Sequence, residues 1–381
     1  MKHWLIGLLA VLLCFGTGCG TAANEQIQEE VTKTAEEIRL ETIEKKIHSM
    51  SVEEKIGQLL MADFRSNLDG SGMTVLRQDV ADSIQGYHLG GVILFAENLD
   101  TLEQTQILIQ EMQNAAKTPL FIGIDEEGGL VSRLKKSNIP HQTMLSPGEM
   151  KDPKEAEAAG KSIGETLYSM GVNVDFAPVA DINTNPDNPV IGIRSYSDNP
   201  EEVAGMVCAF IKGLQNEGIS ATVKHFPGHG DTKADSHKAE VFVTHDLERL
   251  KAIEFVPFSK AIEAGVAFVM VGHIKTPNAT TDGLPATLSS QTIALLRDDL
   301  KYNGVVITDA MNMKAITEYY SVGESVVMSV LAGVDMVLMP GDIDEAYQSL
   351  LEATKEGRIT AQRLDQSLHR ILGLKYDKGL L

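Results

Sequence analysis

The densest concentration of potential chemistry in the chain is Lys224-His225-Phe226-Pro227-Gly228-His229-Gly230-Asp231-Thr232, followed closely by Asp235-Ser236-His237. Four of the ten histidines, His225, His229, His237 and His245, fall in this stretch or just beyond it. Histidines placed for packing have no reason to cluster. Imidazoles beside carboxylates can exchange protons near neutral pH, because an unperturbed histidine titrates at about 6.5. The same set can be heard as a metal site, since imidazole and carboxylate both bind Zn²⁺. Its spacing is not His-Glu-x-x-His, however, and Pro227 with its flanking glycines prevents a helix from presenting His225 and His229 on one face. The expectation is an active-site loop that needs no metal and no organic cofactor.

Such a loop must be held by something. It follows the apolar run 218–223, which reads as a buried strand. Comparable runs recur at 59–64, 91–95, 120–125, 172–178, 220–225, 267–273, 304–309 and 335–340. Most are bounded by Gly or Pro and followed by a longer amphipathic segment, the pattern of parallel strands with helical crossovers. Eight units fit an α/β fold of the closed (β/α)8 TIM-barrel type better than an open doubly wound sheet, whose first turn would be Gly-rich for phosphate. Helix signals agree. Ser51-Val52-Glu53-Glu54 is a capping box ahead of 55–60, Ser146-Pro147 opens another candidate, and 156–170 is a helical run ending at Gly171.

In a barrel, catalytic groups sit at the C-terminal ends of strands. Strand three ends in Asp125-Glu126-Glu127-Gly128-Gly129, strand four leads to Asp181, strand five ends at Lys224-His225, strand six at His273 and strand seven at Asp309. A carboxylate closing an apolar strand, as in Val305-Val306-Ile307-Thr308-Asp309, is costly to bury without partners. On its own Asp309 reads equally as a reactive carboxylate or as the cap of a helix over 310–316. His273 is open in the same way, between a satisfied core histidine and a site residue. Met311, Met313, Met336 and Met339 read as core.

These stretches together resemble the family 3 glycoside hydrolases, in the β-N-acetylhexosaminidase branch. The likeness covers the run from Lys224 to Thr232 with Asp235-Ser236-His237, Ile124-Asp125-Glu126-Glu127-Gly128-Gly129, Arg133, Asn188-Pro189-Val190-Ile191-Gly192-Ile193-Arg194-Ser195 and Ile307-Thr308-Asp309-Ala310-Met311. The resemblance implies that Asp309 is the nucleophile of a retaining, covalent mechanism. It implies that His237, oriented by Asp235, replaces the usual second carboxylate as acid/base. Two residues apart on a glycine-containing loop, they require that loop to swing over the sugar. By the same likeness Asp125, Arg133, Arg194, Lys224 and His225 hold a terminal N-acetylglucosamine, with structural ion pairs the alternative for the two arginines. His229 and Asp231 brace the loop's base. Glu126 stands where the family shows an amide or acid between the Asp and the final Glu-Gly-Gly, an allowed variation that adds little.

Composition narrows the partner. A formal charge of -20 argues against nucleic acid, because phosphate contacts need a basic face. The expected partner is a small carbohydrate, an N-acetylglucosamine-containing glycan or muropeptide from the cell wall. The family also holds β-glucosidases and N-acetylglucosaminide phosphorylases. A non-catalytic glycan-binding lipoprotein is the reading outside enzymes, opposed by the fact that every position expected to carry chemistry is filled.

The N-terminus opens with Lys2 and His3, continues apolar to Phe15 and reaches Gly16-Thr17-Gly18-Cys19-Gly20. Residues 1–19 read as a signal peptide ending at a lipobox, with Cys19 the lipidated first residue of the mature protein. A lipid there holds a protein at a membrane surface without crossing it. Residues 20–40 read as an acidic tether able to become helical, and 41–381 as one catalytic barrel. With Cys14 removed and Cys19 modified, Cys208 is left without a disulfide partner, so the core must hold by burial.

Overall fold

A computed structural model describes residues 33–381. The expected signal peptide with Cys19, and most of the expected tether, lie outside the described residues. Of the tether, residues 35–40 form the start of helix Ala35–Ser49, whose Ile43 and Ile47 are buried and whose Arg39 is bonded to Asp377 near the chain's end.

All eight expected strands form. They are β1 (Leu60–Asp63), β2 (Gly91–Leu94), β3 (Phe121–Ile124), β4 (Val174–Asp175), β5 (Ser220–Phe226), β6 (Phe268–Val271), β7 (Val305–Thr308) and β8 (Val337–Leu338). Their order is β7-β6-β5-β4-β3-β2-β1-β8, parallel throughout. The two ends meet through a parallel bridge between Ile307 and Met336, where Thr308 N–H donates to the Met336 carbonyl at 3.0 Å. The sheet therefore closes on itself. Several ladders are shorter than the apolar runs that encode them. In β4 the regular ladder is interrupted after Asp175, near Pro178, which has no N–H to give, and resumes as a parallel bridge between Val179 and Lys224.

The interior is packed, not open. Phe121 of β3 and Phe268 of β6 are not on neighbouring strands, yet their rings meet edge to face at 5.3 Å, so they touch across the barrel. Burying each stabilises the fold by about 2–3 kcal/mol. Gly123 makes room for this filling. A Cβ there would stand 2.6 Å from Met61 Cε and 2.9 Å from the Phe176 ring.

Helices form the outer ring, and their ends follow the sequence signals with two differences. Ser51 and Glu54 cap each other's backbone as expected, but the helix they open runs only over Val52–Gly57 because β1 begins at Leu60. Ser146-Pro147 opens a single 3-10 turn, Pro147–Glu149. The long helix starts at Pro153 behind its cap Asp152 and ends at Met170, with Gly171 at φ 89°.

Two polar groups close the N-terminal end of the barrel. Lys375, on the final helix Ala361–Asp377, is fully buried and donates to Gln58 Oε1 (2.7 Å) and the Gly90 carbonyl (3.0 Å). Asp335, just before β8, accepts from Val306 N–H (2.9 Å), the Ser367 hydroxyl (2.7 Å), Arg370 (3.2 Å) and Arg297.

Candidate active site

The C-terminal ends of the strands open into a cleft of about 730 Å³. Asp125, Arg133, Arg194, Lys224, His225, His237 and Asp309 all line it, and Asp235 stands behind His237. Residues scattered over 185 positions of sequence thus surround one space.

Its floor is a compensated charge network. Lys224, at the end of β5 and 3% exposed, donates to Asp125 Oδ1 at 2.9 Å and lies 2.6 Å from Glu127 Oε1. Arg133 takes the other oxygen of Asp125 at 3.0 Å. Arg194 grips Glu127 with two parallel bonds of 2.7 and 2.8 Å, the strongest geometry for this pair. Burial alone would neutralise these carboxyls, but Lys224 and Arg133 hold Asp125 well below the usual range. Lys224 and Arg194 likewise bring Glu127 to about 2. Burial would also discharge Lys224, yet the two carboxylates raise it.

Glu127, to which the sequence reading assigns no role of its own, is central to this network. With its side chain 1% exposed it links the two cations, and without it Lys224 and Arg194 would repel each other. Glu126 points the other way and accepts from the N–H groups of Arg133 (2.8 Å) and Leu134 (3.2 Å), fixing the loop that carries Arg133. The arginines do form ion pairs, as one reading had it, but the pairs lie within the cleft.

A second buried carboxylate orients the histidines. Asp181, after β4, accepts from the His225 ring Nδ1 (2.7 Å), the His225 N–H (3.2 Å) and the His229 N–H (2.6 Å). Nδ1–H donation to Asp181 leaves Nε2 of His225 as its free ring nitrogen. The turn that follows is packed against the β4 loop. At Gly230 a Cβ would fall 1.7 Å from the Ile182 carbonyl, and Asn188 donates to the carbonyls of His229 (2.8 Å) and Gly230 (3.1 Å). Asp231 bonds Thr184 (3.2 Å) and His245 (2.7 Å), so the loop's base is braced as expected.

Asp309 follows β7 and accepts from the Ala310 N–H at 2.8 Å. Burial would raise its carboxyl, but the neighbouring His273 and His225 and that N–H outweigh it and hold it below the usual carboxylate range. The helix expected over 310–316 is reduced to Lys314–Thr317, so Asp309 precedes a turn and does not cap a helix. His273 settles as a satisfied core residue beside it. Its Nε2 donates to the Ala310 carbonyl (2.9 Å) and its Nδ1 meets the Thr287 hydroxyl (2.9 Å), and burial lowers its pKa. Met311, Met313, Met336 and Met339 are buried, although Met313 and Met339 also line the cleft, and Met339 holds a φ of 47° that is unusual for its type.

His237 differs from all of these. Its side chain is 64% exposed, with Nδ1 2.9 Å from Asp235 Oδ1, while Asp235 also accepts the His237 N–H. Burial raises Asp235 only partly, and its bonds to His237 bring it below the usual range. Among the described residues no three His, Cys, Asp or Glu side chains converge as metal ligands would. The cleft therefore combines one carboxylate with no lysine or arginine partner among the described residues, one exposed imidazole bonded to a second carboxylate, and a floor of paired charges.

Residues 51–374 match the family described as "Glycosyl hydrolase family 3 N terminal domain". The chain is 35% identical over 365 residues to the beta-hexosaminidase A of Pseudoalteromonas piscicida, covering 86% of this chain and 61% of that relative's length. It is 30% identical to the beta-hexosaminidase LpqI of Mycobacterium tuberculosis, covering 86% and 83%. Among solved structures, a glycoside hydrolase family 3 beta-N-acetylglucosaminidase from Paenibacillus sp. str. FPU-7 superposes with a TM-score of 0.82 at 40% identity, over 87% of this chain and 63% of that one.

Proposed function

The chain belongs to glycosyl hydrolase family 3, and from that premise we propose that it is a retaining exo-β-N-acetylglucosaminidase acting on cell-wall glycans. The observation that carries the reading is the meeting, around one cleft, of the cation-free carboxylate of Asp309 and the Asp235–His237 pair. Two other carboxylates in the cleft, Asp125 and Glu127, are each bound to two cations and so are poor proton donors. That leaves an imidazole as the group able to exchange protons near neutral pH.

In the first step a carboxylate oxygen of Asp309 bonds to the anomeric carbon as the bond to the leaving oxygen breaks, and His237 gives that oxygen a proton. In the second, His237 takes a proton from water, whose oxygen displaces Asp309 and restores the configuration. Asp235 stabilises the imidazolium that exists before the first step and again after the second. Asp125, Arg133, Lys224, Arg194 and His225 present fixed donors and acceptors to the sugar's hydroxyl and acetamido groups, at no cost of reorganisation during the reaction.

Peptidoglycan-derived substrates are favoured by the mouth of the cleft. Lys136 and Lys314 line it, exposed and without a carboxylate partner among the described residues, which suits an anionic leaving sugar or peptide. A lipid on Cys19 would hold the enzyme at the extracytoplasmic face of the membrane, where such glycans are found. The test is to incubate the protein with aryl β-glycosides and muropeptides, with and without phosphate, and to identify products by mass. Release of free N-acetylglucosamine supports the reading. Release of glucose alone, or of a sugar 1-phosphate only, replaces it with the β-glucosidase or phosphorylase alternative.

A further inference from the structure

Between its braced ends the loop that carries the acid/base pair is tied down at one buried residue. Ser236 lies between Asp235 and His237 in sequence, yet it is 2% exposed while His237 is 64% exposed. Its hydroxyl is 3.2 Å from Nε2 of His229. Its carbonyl accepts the N–H of Ala315 at 3.3 Å, on the short helix that follows Asp309. The other ring nitrogen of His229, Nδ1, is 2.6 Å from the Thr232 hydroxyl, and the backbone N–H of His229 is fixed by Asp181. The ring is thus bonded on both sides and cannot turn without breaking a buried hydrogen bond, at a cost of about 1–3 kcal/mol.

We propose that Ser236 is a positioning residue, a pin joining the acid/base loop to the His229 ring on one side and to the nucleophile's segment on the other. This rests on the glycosidase reading for its catalytic consequence, though not for the pin itself. The chain of contacts runs Thr232, His229, Ser236, and then in both directions along the backbone to Asp235 and His237. Because both halves of the dyad are adjacent to the pinned residue, a swing of the loop becomes a rotation about Ser236. The imidazole can then leave to admit a sugar and return to one place, where it must act first as acid and then as base. Burial keeps His229 uncharged, lowering it to about 4, so at neutral pH the ring offers one donor and one acceptor to its two hydroxyl partners.

Ser236→Ala removes the hydroxyl tie and Ser236→Thr retains it. With Ser236→Ala, kcat/KM on an unactivated N-acetylglucosaminide such as chitobiose should fall about tenfold, part of the 10²–10⁴-fold that a placed general acid supplies. On a dinitrophenyl glycoside, whose leaving group needs no proton, it should stay within about twofold, and Ser236→Thr should recover most of the loss. Amide hydrogen exchange over residues 234–239 should quicken in Ser236→Ala in the absence of any substrate. Equal losses on both substrates would reduce Ser236 to a structural residue and overturn the proposal, and so would unchanged exchange. A wild-type protein inactive on every glycoside would sink the glycosidase reading instead, and the exchange measurement would still decide whether the pin exists.

Discussion

The two ends of the barrel each bury a lysine, and the two lysines are treated in opposite ways. At the open end, where the cleft lies, Lys224 touches two carboxylates, which overcome the effect of burial and raise it. At the closed end Lys375 donates to the neutral oxygens of Gln58 and Gly90 and has no carboxylate beside it, so burial drives it well below its ordinary value of 10.5. The contrast teaches what the charges are for. Hydrogen bonds to neutral oxygens suffice to plug a barrel. Keeping a buried ammonium costs solvation that must be offset by Asp125 and Glu127, and the same arrangement supplies fixed donors for a polar ligand.

The largest way to test that division is at the open end. Asp309→Ala should lower turnover by at least about 10³-fold with an unchanged circular dichroism spectrum, since it removes the proposed nucleophile and leaves the neighbouring charges paired. A loss under tenfold would mean the open end does not work as described. Glu127→Gln comes next. It leaves Lys224 and Arg194 facing each other across a neutral amide, so it should cost roughly 3 kcal/mol in chemical denaturation and about 100-fold in kcat/KM. A variant stable but inactive, or active but unstable, would show that the network serves only one of the two purposes.

The histidines behind the loop sharpen the comparison through pH. His229 is lowered to about 4 and His273 is also lowered, both by burial. A base with a depressed folded value contributes stability that is complete above the unfolded value near 6.5 and is lost as pH falls. The melting temperature should therefore decline from pH 6.5 toward 4, with a shallower decline in His229→Asn. The smallest effect belongs to the closed end. Lys375→Met should leave kcat/KM within about twofold of wild type, because the residue lies on the face reserved for stability. Lys375 is likewise depressed, so its contribution grows as pH rises toward 10.5. The stability difference between wild type and Lys375→Met should shift in favour of wild type over that window. A flat difference would mean that Lys375 is charged after all.

The barrel was legible in the sequence because its signals are local. Each strand is a run of apolar residues, and several of the candidate site side chains close one of them, so position along the run announced Asp125, Lys224, His225 and Asp309. Helix lengths were less legible where a following strand or turn cut them short, as at 52–57 and 147–149. Glu127 escaped because its value is relational. One partner is 67 residues away in the chain, and nothing near Glu127 marks it as the carboxylate between two cations. Asp181 and Ser236 were visible as positions, at the end of strand four and within the histidine-rich stretch, but their roles were hidden for the same reason, since their work is to orient other residues. The extra carboxylate among Asp125, Glu126 and Glu127 was a usable signal: three adjacent acids at a strand end demand buried cations nearby.

The central claim is that Asp309 forms a covalent bond to the sugar while His237 handles the proton. His237→Ala incubated with an activated aryl β-N-acetylglucosaminide tests it directly, because bond formation then needs no acid but release still needs a base. The intact protein should gain the mass of one N-acetylglucosaminyl residue, and the adduct should map to the peptide containing Asp309. An adduct on another residue, or turnover through the substrate's own acetamido group with no adduct at any time, would contradict it.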